Sequence, residues 1–339
     1  MQVMTKTEIK TDGWDLVGHD WAVASLRRAV VEDSVSHAYL FTGPPGVGKT
    51  TLASKLAAAL LCAREDVTER PCGACRACRL VASGNHPDLH VVASEHVGAN
   101  LKIDQVRDLA HTLTMTPVEG RRQIAILKRF EEATPSAANA LLKTLEEPAS
   151  GVVLAVLARE PDLLLPTIVS RCQHIPLRPL PVRQVEEALV ERWNASTERA
   201  ELLSHLSRGR LGWAVRTLED EEAMARREER LKDLERLLSG SIIERFAYAE
   251  ELARDPVATQ ETVDLWIAWW RDLLLVASGA EAPLTNVDQA SSLRDRAGRF
   301  DLETIASVIK ALRTALHKLG RNANKRLTLE VLMLDLPRR

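Results

Sequence analysis

Through the first half of the chain, short apolar runs alternate with segments whose apolar residues recur at helical spacing. The runs Ala38–Thr42, 88–92, Gln123–Leu127 and 152–157 each read as a buried strand. Between them, residues 50–61, 103–113 and 136–146 carry the period of an amphipathic helix. Strands that alternate with helices predict a parallel sheet with helices on both faces. After Pro181 the strand signals stop. The segments Val182–Trp193, 197–206 and Leu211–Glu219 predict a small helical domain. The charged stretch 223–238 predicts a connecting helix with a solvated face. From Ile242 the pattern is helical again, with breaks at 279–283 and near Gly320. The class expected is therefore α/β followed by all-α, divided at about 1–180, 181–240 and 241–339. A length of 339 residues agrees with two or three domains.

Charge changes this picture in one respect. There are 45 basic and 47 acidic side chains, a net charge of −2, which argues against a protein that coats DNA by bulk charge. Residues 1–14 are polar and lack the apolar core of a signal peptide. The longest apolar stretch, 265–277, contains Arg271 and Asp272, and falls short of the ~18 apolar residues of a membrane helix. A cytoplasmic location and no membrane partner are expected.

The first chemical signal is Gly43-Pro44-Pro45-Gly46-Val47-Gly48-Lys49-Thr50, with Thr51 following. It matches G-x-x-x-x-G-K-[ST] between a predicted strand and a predicted helix, the context that motif needs. Glycines let the backbone N–H groups turn toward a phosphate, and the helix N-terminus adds its dipole. Lys49 would reach the terminal phosphates and Thr50 would ligate magnesium, so ATP or ADP with Mg is expected here. Upstream, Asp15-Leu16-Val17-Gly18-His19 fits either a segment packed on an adenine ring or a simple helix entry.

A P-loop ATPase also needs an acidic residue after a second strand, to hold magnesium and polarise water. The strand ending at Leu127 is followed by Lys128 and Arg129. Glu131 and Glu132 lie further on and would serve only if the strand were longer or bulged. The expectation is a chain that binds nucleotide and hydrolyses it slowly or not at all.

Four of five cysteines, Cys62, Cys72, Cys75 and Cys78, form C-x9-C-x2-C-x2-C. Two-residue spacings let thiolates converge on one tetrahedral ion, and four thiolates close the shell, so zinc fits best. An iron–sulfur cluster or four free thiols are the alternatives. His86-Pro87-Asp88 reads as a turn before a strand, and Cys172 as a small apolar residue. Arg121-Arg122 reads as a solvated turn. Trp266, Trp269 and Trp270, at helical spacing, read as core or subunit-contact residues.

Taken together with Asn139-Ala140-Leu141-Leu142-Lys143-Thr144-Leu145-Glu146-Glu147-Pro148, Ser170-Arg171-Cys172 and the tail Asn322-Ala323-Asn324-Lys325-Arg326-Leu327, these features resemble the delta-prime family of subunits of the bacterial DNA polymerase III clamp loader. The resemblance covers nearly the whole chain. It implies an AAA+ P-loop module, a small helical lid and a C-terminal helical collar that joins subunits into a ring. It implies an adaptor that presents Arg171 in trans, as an arginine finger, to a neighbouring motor subunit. The implied partners are the motor subunit (gamma or tau), the delta subunit, the sliding clamp and, through the ring, primer-template DNA. The alternatives are a gamma/tau motor or an independent AAA+ ATPase. Against the motor stand Lys128-Arg129 after the second strand and Ala158-Arg159 where motors carry a polar sensor pair. Gly212 also stands where their lid carries an arginine.

Overall fold

The computed structural model describes residues 13–321 and 323–338. Five parallel strands form one sheet: β1 (Ala38–Thr42), β2 (Leu89–Val92), β3 (Gln123–Leu127), β4 (Val152–Ala158) and β5 (Gln173–Pro176), in the order β2-β3-β4-β1-β5. The central strands β1, β3 and β4 are buried along their whole length. Their side chains alternate between two cores, as strand periodicity requires. Tyr39, Phe41, Ile124, Ile126, Val153 and Ala155 face one core with α1 (Asp20–Val31) and α2 (Lys49–Leu61). Ala38, Leu40, Ala125, Leu127, Leu154 and Val156 face the other. That second core is closed by α4 (Ile103–Thr112), α5 (Pro135–Glu146) and α6 (Pro166–Val169). The helix α3 (Arg76–Ala82) packs on α2.

Sequence periodicity missed β5. Its residues Gln173, His174 and Pro176 are exposed and only Ile175 is buried, so it carries no apolar run. A proline is tolerated there because the strand lies at the sheet edge.

Beyond Pro181 the described residues are helical. The helices α7 (Val182–Trp193), α8 (Thr197–Ser207) and α9 (Leu211–Glu219) share a small core of Leu180, Val185, Leu189, Ala200, Leu203 and Ala214. The helices α10 (Ala223–Ser239), α11 (Ile242–Leu252), α12 (Pro256–Ser278), α13 (Ala290–Arg296), α14 (Leu302–Gly320) and α15 (Lys325–Asp335) form a larger bundle. Leu231, Leu234, Leu237 and Leu238 of α10 pack into that larger core. Trp266, Trp269 and Trp270 are buried in it, as expected of core residues. Asn324 caps α15 by accepting from Leu327 N at 3.0 Å, while Asn322 of the same tail motif lies outside the described residues. Gly279, at φ 67°, ends α12 in the left-handed conformation that favours glycine. The α/β-then-all-α class read from the sequence is the one observed. No helix among the described residues is long and apolar enough to cross a membrane.

Candidate functional site

The loop between β1 and α2 turns through three glycines of positive φ: Gly43 at 140°, Gly46 at 83° and Gly48 at 110°. At Gly43 nothing larger fits, because a Cβ would lie 2.2 Å from the Leu177 carbonyl oxygen. Lys49 opens α2, and its Nζ donates to the Gly43 and Pro44 carbonyl oxygens at 2.5 and 3.1 Å. Burial draws the Lys49 ammonium down to about 8; Glu131 opposes that shift and Arg159 adds to it. Thr50 and Thr51 sit exposed on the first turn. Beneath the loop, His19 Nε2 meets the Val47 carbonyl at 2.9 Å, and burial lowers the imidazole pKa.

A cavity of about 930 Å³ opens over this loop. Pro45, Gly46, Val47, Gly48, Lys49, Thr50 and Thr51 line it, and so do Asp15, Leu16 and Val17 from the segment read as an adenine contact. Its volume lies in the range of small-ligand sites.

The end of β3 explains what became of the acidic pair. Arg129 takes a left-handed conformation, φ 50°, and reverses the chain into a single 3-10 turn over Phe130–Glu132. Its guanidinium turns away, pairing with Glu132 at 2.8 Å and donating to the Ser94 carbonyl at 3.0 Å. Glu132 also accepts from Gly98 N at 2.7 Å and from Ser94 Oγ. Glu132 is therefore committed to the 94–98 loop. Glu131 instead lines the cavity, with its side chain 4% exposed. Its Oε1 lies 3.3 Å from Arg159 Nε, and its Oε2 is buried with no hydrogen-bond partner among the described residues. Burial raises the Glu131 pKa, opposed by Arg159 and Lys49.

Arg159, which follows β4, ties three parts together. Its carbonyl accepts from Gly43 N at 2.9 Å, and its guanidinium reaches Glu131 and Gln260 of α12. The α9 side of the cavity is as close. Gly212 N donates to the Gly46 carbonyl at 2.8 Å, and Arg216, one turn further along α9, reaches the same loop residue. Burial lowers Arg210 to about 10, opposed by Asp264, whose carboxylate is 3.8 Å away. Sequence reading assigned no role to Arg210 or Arg216. The available signal was the four-residue step from Gly212 to Arg216, which keeps both on one helix face. Lys49, Arg159, Arg210 and Arg216 make the lining suitable for a polyphosphate. For magnesium, the Thr50 hydroxyl is in place, but the carboxylate expected at the end of β3 is replaced by Lys128 and Arg129. Nucleotide phosphates would have to supply most of the remaining ligands.

The sulfur atoms of Cys62, Cys72, Cys75 and Cys78 all lie within 4.8 Å of one another. Cys62–Cys75 and Cys72–Cys78 are 3.9 and 4.0 Å apart, far beyond a disulfide bond. They match the ~3.8 Å edge of a tetrahedron with metal–sulfur bonds of about 2.3 Å. Cys75 N and Cys78 N donate to the Cys72 and Cys75 sulfurs at 3.4 Å, so the backbone already supports thiolates. Burial disfavours the Cys72 thiolate, but the amides of Cys75 and Ala74 outweigh it and hold the thiol down to about 6. The donor set fits a single tetrahedral ion.

Arg171 is not among the residues that line the cavity; it pairs with Glu146 at 2.8 Å and donates to the Thr167 carbonyl at 3.0 Å. Cys172 is half-buried against the second sheet core, and burial pushes its thiol up to about 11. Arg122 pairs with Asp33 at 2.5 Å, in keeping with a solvated turn. His86-Pro87-Asp88 does form a turn into β2. There the fully buried Asp88 carboxylate accepts from Val118, Glu119 and Gly120 N at 2.6, 2.9 and 2.7 Å.

Comparisons with known proteins agree along the chain. The family model described as DNA polymerase III, delta subunit, matches residues 18–181, and its C-terminal counterpart matches residues 221–337. DNA polymerase III subunit delta' of Bacillus subtilis is 31% identical over 319 residues, spanning 92% of this chain and 94% of that protein. The Pseudomonas aeruginosa subunit delta' is 46% identical over 137 residues, 40% of this chain and 42% of that one. DNA polymerase III subunit tau of Escherichia coli is 34% identical over 202 residues, 58% of this chain and 31% of that one. Identity with a subunit delta' over nearly the full length of both chains shows that this chain belongs to the DNA polymerase III subunit delta' family.

Proposed function

We propose that this clamp-loader subunit of DNA polymerase III acts as an adaptor: it binds nucleotide in its own P-loop and lends Arg171 to the ATP site of a neighbouring motor subunit of the gamma/tau type. The observation that carries this reading is the end of β3. An intact phosphate loop faces Lys128 and Arg129, where a hydrolytic site needs a magnesium carboxylate and a water-directing one. Gly43, Pro44, Pro45, Gly46, Val47, Gly48, Lys49, Thr50 and Thr51 would hold ATP or ADP. Magnesium would be held by Thr50 and the phosphate oxygens, and it supplies charge neutralisation when bound. Lys49 would bind the phosphates, while Arg210 and Arg216 would close over them from the lid.

The position of Arg171 outside its own cavity supports a role in trans. Glu146 pairs with the partly exposed guanidinium, so less side-chain freedom would be lost when it meets a partner's phosphate. The four cysteines support structural zinc. Their sulfurs are too close together for a cluster of several irons, and no side chain is left over for chemistry. We place the three-part division at about 180 and at about 222 instead of 240. The α10 helix is counted with the collar, because its leucines pack there. The delta subunit, the sliding clamp and primer-template DNA would be met through the assembled ring, in the cytoplasm.

Glu131 favours a second reading, the motor ATPase, because its carboxylate does line the cavity. ATP turnover separates the two. The adaptor reading expects no turnover by the isolated chain above that of Lys49→Ala. It also expects Arg171→Ala to slow the ATPase of the assembled loader without changing nucleotide binding by the isolated chain. Turnover by the isolated chain that Lys49→Ala abolishes would replace the adaptor reading with the motor reading.

A further inference from the structure

We infer that Glu131 occupies the place of a nucleotide's terminal phosphate and makes this P-loop a diphosphate site, selective for ADP over ATP. The inference rests on the nucleotide-binding reading above and deepens it.

Two cations converge at the phosphate end of the cavity, Lys49 from the loop and Arg159 from the end of β4. In a nucleotide site without an internal anion, both would be free for the oxygens of the last phosphoryl group. Here a carboxylate has reached Arg159 first, while the Lys49 ammonium donates to the Gly43 and Pro44 carbonyls. Glu131 is carried there by the tight turn that Arg129 begins. It pairs with Arg159 at 3.3 Å and is the leading electrostatic influence that keeps Lys49 charged. It has no other outlet, since its second oxygen is buried without a hydrogen-bond partner among the described residues.

A γ-phosphoryl group brings more negative charge to the same point. It would find Arg159 already neutralised and a buried carboxylate lining the same cavity, where little water screens the repulsion. A diphosphate ends before that point. It keeps the loop amides and Lys49, and leaves the Glu131–Arg159 pair intact. The neighbouring Glu132 cannot take over this role, because Gly98, Ser94 and Arg129 already hold its carboxylate.

The test is titration of the full-length chain with fluorescent ADP and ATP, with magnesium and with EDTA, for the wild type, Glu131→Gln and Arg159→Gln. Thermal melts would confirm that each variant is folded. The wild type should prefer ADP by about tenfold or more with magnesium present. Glu131→Gln should bring that ratio close to one by strengthening ATP binding more than ADP binding. Arg159→Gln, which leaves the carboxylate unopposed, should widen the ratio. Equal affinity for both nucleotides in the wild type would overturn the selectivity while leaving the nucleotide site standing. If Glu131→Gln weakens ATP binding only when magnesium is present, Glu131 is a metal ligand and the inference is wrong. If neither nucleotide binds the wild type, the underlying nucleotide reading falls with it.

Discussion

The backbone N–H of Gly212 donates to the carbonyl of Gly46 across 2.8 Å, so the first turn of α9 rests on the phosphate loop itself. Neither glycine can grow without moving the other. A Cβ on Gly212 would lie 3.0 Å from the Gly46 oxygen, and one on Gly46 would lie 2.9 Å from Trp213 N. Replacing Gly212 by valine should therefore lift α9 locally and leave the sheet unchanged. Hydrogen exchange of the amides in 211–214 should quicken by roughly tenfold, with the slowest sheet amides unaffected. Unchanged protection in the variant would mean that the contact contributes nothing to holding α9 on the loop.

The cysteine cluster predicts one zinc per chain by elemental analysis of protein purified without chelator. Cys62 closes α2 and Cys75 caps α3, so the ion would join two helices that pack on each other. Cys75→Ser should lose the metal and lower Tm by roughly 5 °C or more. Far-UV circular dichroism should change little, because the sulfurs lie outside the two sheet cores. Full zinc retention in Cys75→Ser, or an iron–sulfur absorption band, would contradict the four-thiolate assignment.

Asp88 gives a prediction with a defined pH direction. Burial opposes its ionisation, but the amides of Val118, Glu119 and Gly120 outweigh burial and hold its pKa below the ordinary value. A carboxylate depressed in the folded state stabilises above its unfolded value of about 4, and that contribution disappears as pH falls through the folded value. Asp88→Asn should cost about 2 kcal/mol at pH 7 by urea unfolding. The gap between wild type and variant should narrow steadily below pH of about 4. A gap that stays constant into acid would assign the effect to shape, not charge.

These particulars show what a linear reading can and cannot reach. The phosphate loop was legible because strand, glycines, lysine and helix are contiguous, and the cysteines because two-residue spacing forces convergence. Lys128 and Arg129 were legible as a loss for the same reason. Glu131 and Glu132 were not separable in the sequence. Adjacent residues of one 3-10 turn point in different directions, and only the left-handed Arg129 decides that Glu131 enters the cavity while Glu132 serves a loop. Arg210 and Arg216 escaped notice because their value depends on α9 touching the loop, a contact between segments more than 160 residues apart. The strand β5 escaped because an edge strand needs only one buried side chain, and Ile175 gives no pattern.

Arg159 joins the phosphate loop by its main chain and the long helix α12 by its side chain. Gln260 and Glu131 therefore draw on the same guanidinium. A ligand at the loop that altered the charge Arg159 faces would bear on its bond to α12 as well. By thermodynamic reciprocity, anything that restrained α12 would act back on the charge Arg159 presents at the loop. One side chain thus spans the phosphate loop, the buried Glu131 carboxylate and α12.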